Sequence, residues 1–86
     1  MKIVLNKDYG GFHLPREYAE ATDTNFYDDS FEVRTDPDLI EYITAHPHET
    51  DLKVVEISDE ATDYDILEYD GLESISYVVN GKIYYA

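Results

Sequence analysis

The chain contains neither cysteine nor tryptophan among its 86 residues. The absence of cysteine excludes disulfide bonds and thiolate nucleophiles, and it removes the commonest ligand of small structural zinc sites. Twelve Phe and Tyr residues are present, and nine of them are tyrosines. Because tyrosine can pack its ring while its hydroxyl stays in water, we expect many of these rings at the edge of a core or on a binding face.

Basic residues are also scarce, since six Lys and Arg stand against 20 Asp and Glu and the net charge is −14. Direct binding of nucleic acid or of an anionic membrane requires clustered positive charge, which this chain lacks. An acidic surface attracts basic proteins or divalent cations, although it can also serve solubility alone. The bases are scattered singly along the chain, at Lys2, Lys7, Arg16, Arg34, Lys53 and Lys82.

Long hydrophobic runs are missing as well, and the apolar stretch at residues 3–5 is too short for a signal peptide or a membrane span. We therefore expect a cytoplasmic protein. The hydrophobic share of 43% is close to that of globular proteins and argues against intrinsic disorder. The length suits a single domain over residues 1–86.

The first half of the chain predicts one strand and a short helix, followed by a loop. The continuous apolar run within residues 2–6 is typical of a strand that is covered on both sides. Two glycines then interrupt the pattern, and Pro15 suits the first turn of a short helix that extends to about Ala21. Residues 22–30 are polar and predict a loop.

The middle of the chain predicts a short strand and a second helix. Phe31 and Val33 alternate with charged residues, which favours a strand. Asp36 and Pro37 then form a helix start, because the aspartate can accept from free amides and proline needs no hydrogen bond at the first helical position. We predict a helix over residues 37–45, ended by Pro47.

The last third is rich in predicted strands. A strand over residues 52–57 is followed by three further strands, at residues 64–69, 72–79 and 82–85. Asp70-Gly71 and Asn80-Gly81 join them, and both dipeptides favour two-residue hairpin turns. These patterns predict an α+β fold, with a small, largely antiparallel sheet, two short helices on one of its faces and a C-terminal β-meander.

Negative charge is concentrated in two base-free blocks. Residues 17–32 contain six acids, and residues 54–81 contain eight. Such blocks can form a solvated face or a surface that resembles a phosphate backbone, and the sequence is compatible with both interpretations.

Motifs for catalysis or cofactor binding are weak. His46, His48 and Glu49 share one loop and can ligate a metal, but a structural zinc site needs four ligands and Pro47 already serves to end a helix. The Gly10-Gly11 pair lacks the lysine and the third glycine of phosphate-binding loops. The sequence therefore predicts no enzyme, no cofactor and no metal site.

Five segments of the chain are distinctive, namely MKIVLNK at 1–7, YGGF at 9–12, DPDLIE at 36–41, LKVVEI at 52–57 and EYDG at 68–71. Together they resemble a family of small uncharacterised proteins encoded by phages and prophages, mostly of Gram-positive bacteria. No established activity comes with this resemblance, and the last strand, from Asn80 onward, departs from the family's pattern.

The leading functional hypothesis is that the chain is a binding domain for a protein with a basic surface. It could inhibit a host defence enzyme or a nucleic-acid-binding enzyme by occupying that surface. One alternative is a self-assembling structural protein or homodimer that pairs through an edge strand at residues 83–85, and another is a domain that binds a divalent metal or small ligand. The predicted partner-binding residues are Tyr27, Asp28, Asp29, Asp63, Tyr64, Asp65, Glu68, Tyr69, Asp70 and Glu73.

Overall fold

The computed structural model describes all 86 residues and contains both helices and antiparallel strands, which confirms the α+β class. None of the helices has the length and hydrophobicity that a membrane span requires. In chain order the elements are β1 (Lys2–Asn6), α1 (Arg16–Thr22), α2 (Phe31–Arg34), α3 (Pro37–Ala45), β2 (Leu52–Glu56), β3 (Thr62–Tyr69), β4 (Leu72–Val79) and β5 (Lys82–Tyr85).

Strand β1 lies at the centre of the molecule and pairs with β2 in an antiparallel two-stranded sheet. Its residues Ile3, Val4 and Leu5 are fully buried, so the predicted strand with two covered faces is confirmed. Successive side chains of a strand point to opposite faces. Val4 accordingly packs among the helices, while Ile3 and Leu5 pack among residues of the C-terminal meander.

Helices α1 and α3 cover one face of the β1–β2 sheet, as the sequence predicted. Tyr18 of α1 and Leu39 and Ile43 of α3 belong to one hydrophobic cluster with Val4. Helix α3 begins as expected, because the Asp36 carboxylate accepts a hydrogen bond of 2.9 Å from the backbone N–H of Asp38.

Residues 31–34 form a helical turn, so the strand predicted at Phe31 and Val33 is wrong. The Ser30 hydroxyl accepts from the backbone N–H of Val33 at 3.3 Å, and the Ser30 carbonyl accepts from the N–H of Arg34 at 3.0 Å. The serine therefore caps a short helix, and this local hydrogen bonding prevails over the two-residue alternation of apolar side chains.

The C-terminal meander β3–β4–β5 is confirmed, with both two-residue turns in place. The predicted single sheet is instead divided into a two-stranded and a three-stranded sheet. Ile75 of β4 shares a hydrophobic cluster with Ile3 and Leu5, so the meander packs against the face of β1–β2 that the helices leave free.

A buried ion pair explains why the meander does not extend the first sheet. Arg34 and Glu73 form two parallel hydrogen bonds of 2.8 and 2.7 Å, and both side chains are almost fully buried. Glu73 also accepts from the N–H of Asn6 at 2.7 Å, and Arg34 donates to the carbonyl of Val4 at 3.2 Å. The pair thus satisfies backbone groups at the edge of β1 where a further strand would otherwise bind.

Tyr18 makes the stability of the fold depend on pH in the alkaline range. Its pKa is raised from the ordinary value of 10.0, mainly by burial and further by the negative charges of Asp36 and Asp38. The folded state therefore holds this proton more tightly than the unfolded state, and the free energy of unfolding should fall as the pH rises above 10.

We expect Tyr18→Phe to make this decline shallower, because phenylalanine has no proton to lose. Urea unfolding between pH 8 and 11 measures the effect, and Tyr27→Phe is the control because Tyr27 is 73% exposed. Equal slopes of stability against pH for wild type and Tyr18→Phe would contradict the assignment.

Candidate functional site: an acidic face with aromatic residues

The structure brings parts of the two base-free acidic blocks together at one surface. The rings of Phe31 in α2 and Tyr64 in β3 have centroids 5.5 Å apart. Beside them, Asp29 and Glu68 line the same surface cavity of about 330 Å³. We name this surface the acidic face and define it by Asp28, Asp29, Phe31, Asp63, Tyr64 and Glu68.

Hydrogen bonds hold the loop between α1 and α2 in place at the acidic face. The Asp28 carboxylate accepts from the backbone N–H of Ser30 at 3.0 Å, and the Arg34 Nε donates to the carbonyl of Asp29 at 2.6 Å. The hydrogen bonds from the Ser30 backbone and hydroxyl lower the pKa of Asp28. The Asp28 side chain is therefore negatively charged at neutral pH.

An irregularity in strand β3 and the turn that follows the strand position its side chains at the acidic face. The pairing with β4 shifts register between Thr62 and Asp65, and Asp63 adopts a positive φ of 52°. The Tyr64 hydroxyl donates to the carbonyl of Ala61 at 2.7 Å, which fixes its ring. Glu68 accepts from the N–H of Gly71 at 2.6 Å, so its carboxylate is also fixed in position.

Little positive charge compensates these acids. Only two ion pairs occur in the structure, and they involve Asp59 and Glu73, which leaves 18 of the 20 acidic residues without a cationic partner within 4.0 Å. Arg34 lies next to the acidic face, but it is buried and its charge is already paired with Glu73. Lys7 lines a neighbouring depression with Glu68 but forms no ion pair with it.

Half of the predicted partner-binding residues lie at the acidic face. Asp29, Tyr64 and Glu68 are placed there by direct contacts or by the shared cavity. Asp28 and Asp63 directly precede Asp29 and Tyr64 in the chain, and the positive φ of Asp63 at the register shift interrupts the alternation of strand faces there. The sequence named all five residues without any information on their proximity.

Two predicted residues lie on the other face of the meander. Asp65 is opposite Ser76 and Tyr69 is opposite Leu72 in the β3–β4 pairing, whereas Ile66 is opposite the buried Ile75. Since neighbouring residues of a strand alternate between faces, Asp65 and Tyr69 point away from the core and away from the acidic face.

The remaining three predicted residues are dispersed. Tyr27 packs edge-on against Phe26 and lines a depression beside α1. Asp70 lies in the β3–β4 turn, where its carbonyl accepts from the N–H of Gly10 at 3.2 Å. Glu73 requires a correction, because only 5% of it is exposed and its carboxylate binds Arg34 inside the fold. It is a structural residue and is not available to a partner.

Sequence reasoning missed Phe31 as a member of this surface. The alternating pattern predicts a strand at Phe31, yet the helical turn at 31–34 leaves its ring 41% exposed beside Tyr64. Ser30 was the available indication, because serine is a preferred residue at the start of a helix.

The histidines do not assemble a metal centre. No group of three or more His, Asp or Glu side chains in the structure is arranged to hold a metal ion. The ring of His46 stacks on Tyr42 at 4.1 Å, and its Nδ1 lies 2.8 Å from the Tyr42 carbonyl. His48 and Glu49 instead line a cavity of about 410 Å³ that includes His13.

No protein-family model, curated protein or solved structure matches the chain. The acidic face itself offers fixed carboxylates and two half-exposed aromatic rings. Chemically, this combination suits the binding of a positively charged surface, with the rings supplying apolar contact.

Proposed function

We propose that this protein is a binding domain whose acidic face occupies a basic, nucleic-acid-binding surface of a partner protein. The observation that carries the proposal is the meeting of the two acidic blocks at Phe31 and Tyr64, with Asp29 and Glu68 beside the same cavity. A partner that binds nucleic acid presents lysines and arginines to phosphates, and uncompensated carboxylates attract the same groups.

The aromatic rings strengthen this proposal because charge alone gives weak and unspecific contact. Interfaces draw most of their binding energy from a few buried aromatic or arginine residues surrounded by polar contacts. Phe31 and Tyr64 are 41% and 39% exposed, so each has ring surface left to bury against a partner. Acidic residues around them supply attraction over a longer distance and faster association.

The resemblance to phage and prophage proteins suggests the kind of partner. A phage protein of this kind would act by binding, and a host defence nuclease is one class of partner that presents a basic surface to nucleic acid. The protein would then function as an inhibitor in the cytoplasm of the host cell.

Four neutralising substitutions at the acidic face test the proposal: Asp28→Asn, Asp29→Asn, Asp63→Asn and Glu68→Gln, made together. Each keeps a side-chain oxygen as an acceptor, so the hydrogen bonds to Ser30 and Gly71 can persist. The matched control neutralises four exposed acids elsewhere, with Glu41→Gln, Glu49→Gln, Glu56→Gln and Glu60→Gln. Both variants change the net charge equally, so only the position of the charge differs.

The measurement is capture of binding proteins by the tagged protein from a nuclease-treated lysate of Gram-positive bacteria, with duplex DNA as competitor. We expect a stoichiometric partner that DNA displaces, and we expect the acidic-face variant to bind it about 10- to 100-fold more weakly. The control variant should change affinity by no more than about threefold. Equal losses in both variants, or a partner that DNA does not displace, would contradict the proposal.

A further inference from the structure

The C-terminal edge of the meander differs from the rest of the molecule in charge. Residues 77–86 contain no acidic residue, although the chain as a whole has 20 acids among 86 residues. Within them, β5 pairs with β4 on one side only, and Ile83, Tyr84 and Tyr85 are 63%, 44% and 68% exposed. An exposed apolar edge strand without negative charge is a site for pairing with another strand.

The hydrogen-bond pattern identifies which backbone groups of β5 are free. Ala86 and Ile75 exchange two backbone hydrogen bonds, of 3.0 and 2.9 Å. Hydrogen-bonded and non-bonded pairs alternate in an antiparallel ladder. The next pair, Ser76 and Tyr85, is therefore non-bonded, and Tyr77 and Tyr84 exchange backbone hydrogen bonds. The N–H and C=O groups of Ile83 and Tyr85 therefore point away from β4, into solvent.

We propose that β5 pairs with β5 of a second copy of this chain across a two-fold axis, forming a six-stranded sheet. The axis passes between the two Tyr84 residues. Ile83 of each copy then lies opposite Tyr85 of the other, and each of these two pairs exchanges both free N–H and C=O groups. Four backbone hydrogen bonds result, and they use the four groups that each copy leaves free.

The side chains fit this arrangement on both faces of the sheet. Ile83 of one copy packs against Tyr85 of the other, an aromatic and β-branched pair of the kind that stabilises antiparallel strands. The two Tyr84 rings meet on the opposite face, where each is already stacked on Tyr77 with centroids 5.8 Å apart. Lys82 lies opposite Ala86, so no like charges face each other across the axis.

Two copies can approach each other at the β5 edge because residues 77–86 contain no acidic residue, whereas the chain as a whole carries a net charge of −14. The other edge of the same sheet, β3, carries Asp63, Asp65 and Glu68 and an irregular pairing, so it is unsuited to this role. A two-fold contact uses the β5 edge of both copies, so the assembly closes as a dimer. Each copy has a net charge of −14, and the dimer should therefore be weak at low ionic strength.

Sedimentation equilibrium of the full chain, from about 10 µM to about 2 mM protein, tests the proposal. We expect a monomer–dimer equilibrium whose association constant rises about tenfold between about 0.05 M and 0.5 M NaCl, because salt screens the repulsion between copies. Binding of a basic partner at the acidic face has the opposite salt dependence. The two proposals can therefore fail separately.

A single-cysteine experiment tests the register, and the natural absence of cysteine makes it unambiguous. Opposed residues of a non-bonded antiparallel pair have Cα atoms about 4.5 Å apart, within the range for a disulfide. Tyr84→Cys should therefore form a disulfide-linked dimer under mild oxidation. Tyr85→Cys should form at least about fivefold less disulfide-linked dimer. Residue 85 of the other copy lies diagonally across the interface, with its Cα at about 7–8 Å.

Ile83→Pro removes the outward N–H, and edge strands tolerate proline where that group faces solvent. We expect this variant to stay monomeric at all concentrations, while Ile83→Thr, which keeps the N–H, still dimerises. Circular dichroism controls for folding, and the cysteine variants provide a second test if Ile83→Pro unfolds. The proposal is overturned if the wild type stays monomeric at high salt, if folded Ile83→Pro dimerises, or if Tyr85→Cys crosslinks as well as Tyr84→Cys.

Discussion

Replacing Glu73 with alanine is expected to lower the free energy of unfolding by about 3–5 kcal/mol, because it leaves the Arg34 charge buried without its partner. The change also removes the acceptor for the backbone N–H of Asn6. A domain of this length has a total stability of roughly 4–13 kcal/mol, so the expected loss is a large fraction of it. Urea or thermal denaturation followed by circular dichroism measures the loss.

Exposed Glu60 provides the matched control, and Glu60→Ala should change stability by less than about 0.5 kcal/mol. Arg34→Met and the double variant Arg34→Met, Glu73→Ala complete a thermodynamic cycle. The double variant should be less destabilised than the sum of the two single variants, since neither charge is then left alone. Additive losses, or a loss below about 1 kcal/mol in Glu73→Ala, would show that the pair is not the structural connection we describe.

The Arg34–Glu73 pair also illustrates what the sequence could not reveal. Its members are 39 residues apart, and the local sequence around each residue does not indicate the other. Glu73 was one of eight acids in a base-free block, and nothing local distinguishes it from the exposed ones. Its burial depends on β4 crossing the edge of β1, a contact that exists only after the chain has folded.

Elements with local chemical causes were predicted well. Both hairpin turns follow from Asp70-Gly71 and Asn80-Gly81, whose residues tolerate positive φ, and the start of α3 follows from Asp36 and Pro37. The turn of α2 was missed because Phe31 and Val33 also fit a strand, and two apolar residues are too few to distinguish the two periods.

The acidic face was half predictable for the same reason. The sequence identified the acidic blocks and predicted Asp29, Tyr64 and Glu68 as binding residues. It could not determine which acids share a surface. That depends on the contact between Phe31 and Tyr64 and on the side of β3 to which each residue points. Tyr69 and Asp65 belong to the same block and yet lie on the opposite face.

Replacing Gly71 with alanine should also destabilise the protein strongly, by about 3 kcal/mol or more. Gly71 has a φ of +88°, which is unfavourable for any residue with a Cβ. An added Cβ would lie only 2.6 Å from the backbone nitrogen of Gly10 and closer still to that of Gly11. The obstacle is backbone on both sides, so no side-chain rotation can relieve it.

Gly81→Ala is the control that isolates the cost of a positive φ from the cost of the steric clash at Gly71. Gly81 occupies the corresponding position of the second hairpin, with a φ of +78°, but nothing lies within 4 Å of its added Cβ. We expect it to lose only about 1 kcal/mol, the cost of a positive φ. Thermal unfolding of the two variants in parallel measures the difference.

A further readout connects Gly71 to the acidic face. The Gly71 N–H donates to Glu68 and its carbonyl accepts from Asn6 Nδ2 at 2.7 Å, so moving this turn displaces a carboxylate of the acidic face. Gly71→Ala should therefore weaken partner binding even where the variant remains folded, whereas Gly81→Ala should leave it unchanged. Equal stabilities for the two variants would mean that the close contact between the β3–β4 turn and the Gly10-Gly11 loop does not hold the meander in place.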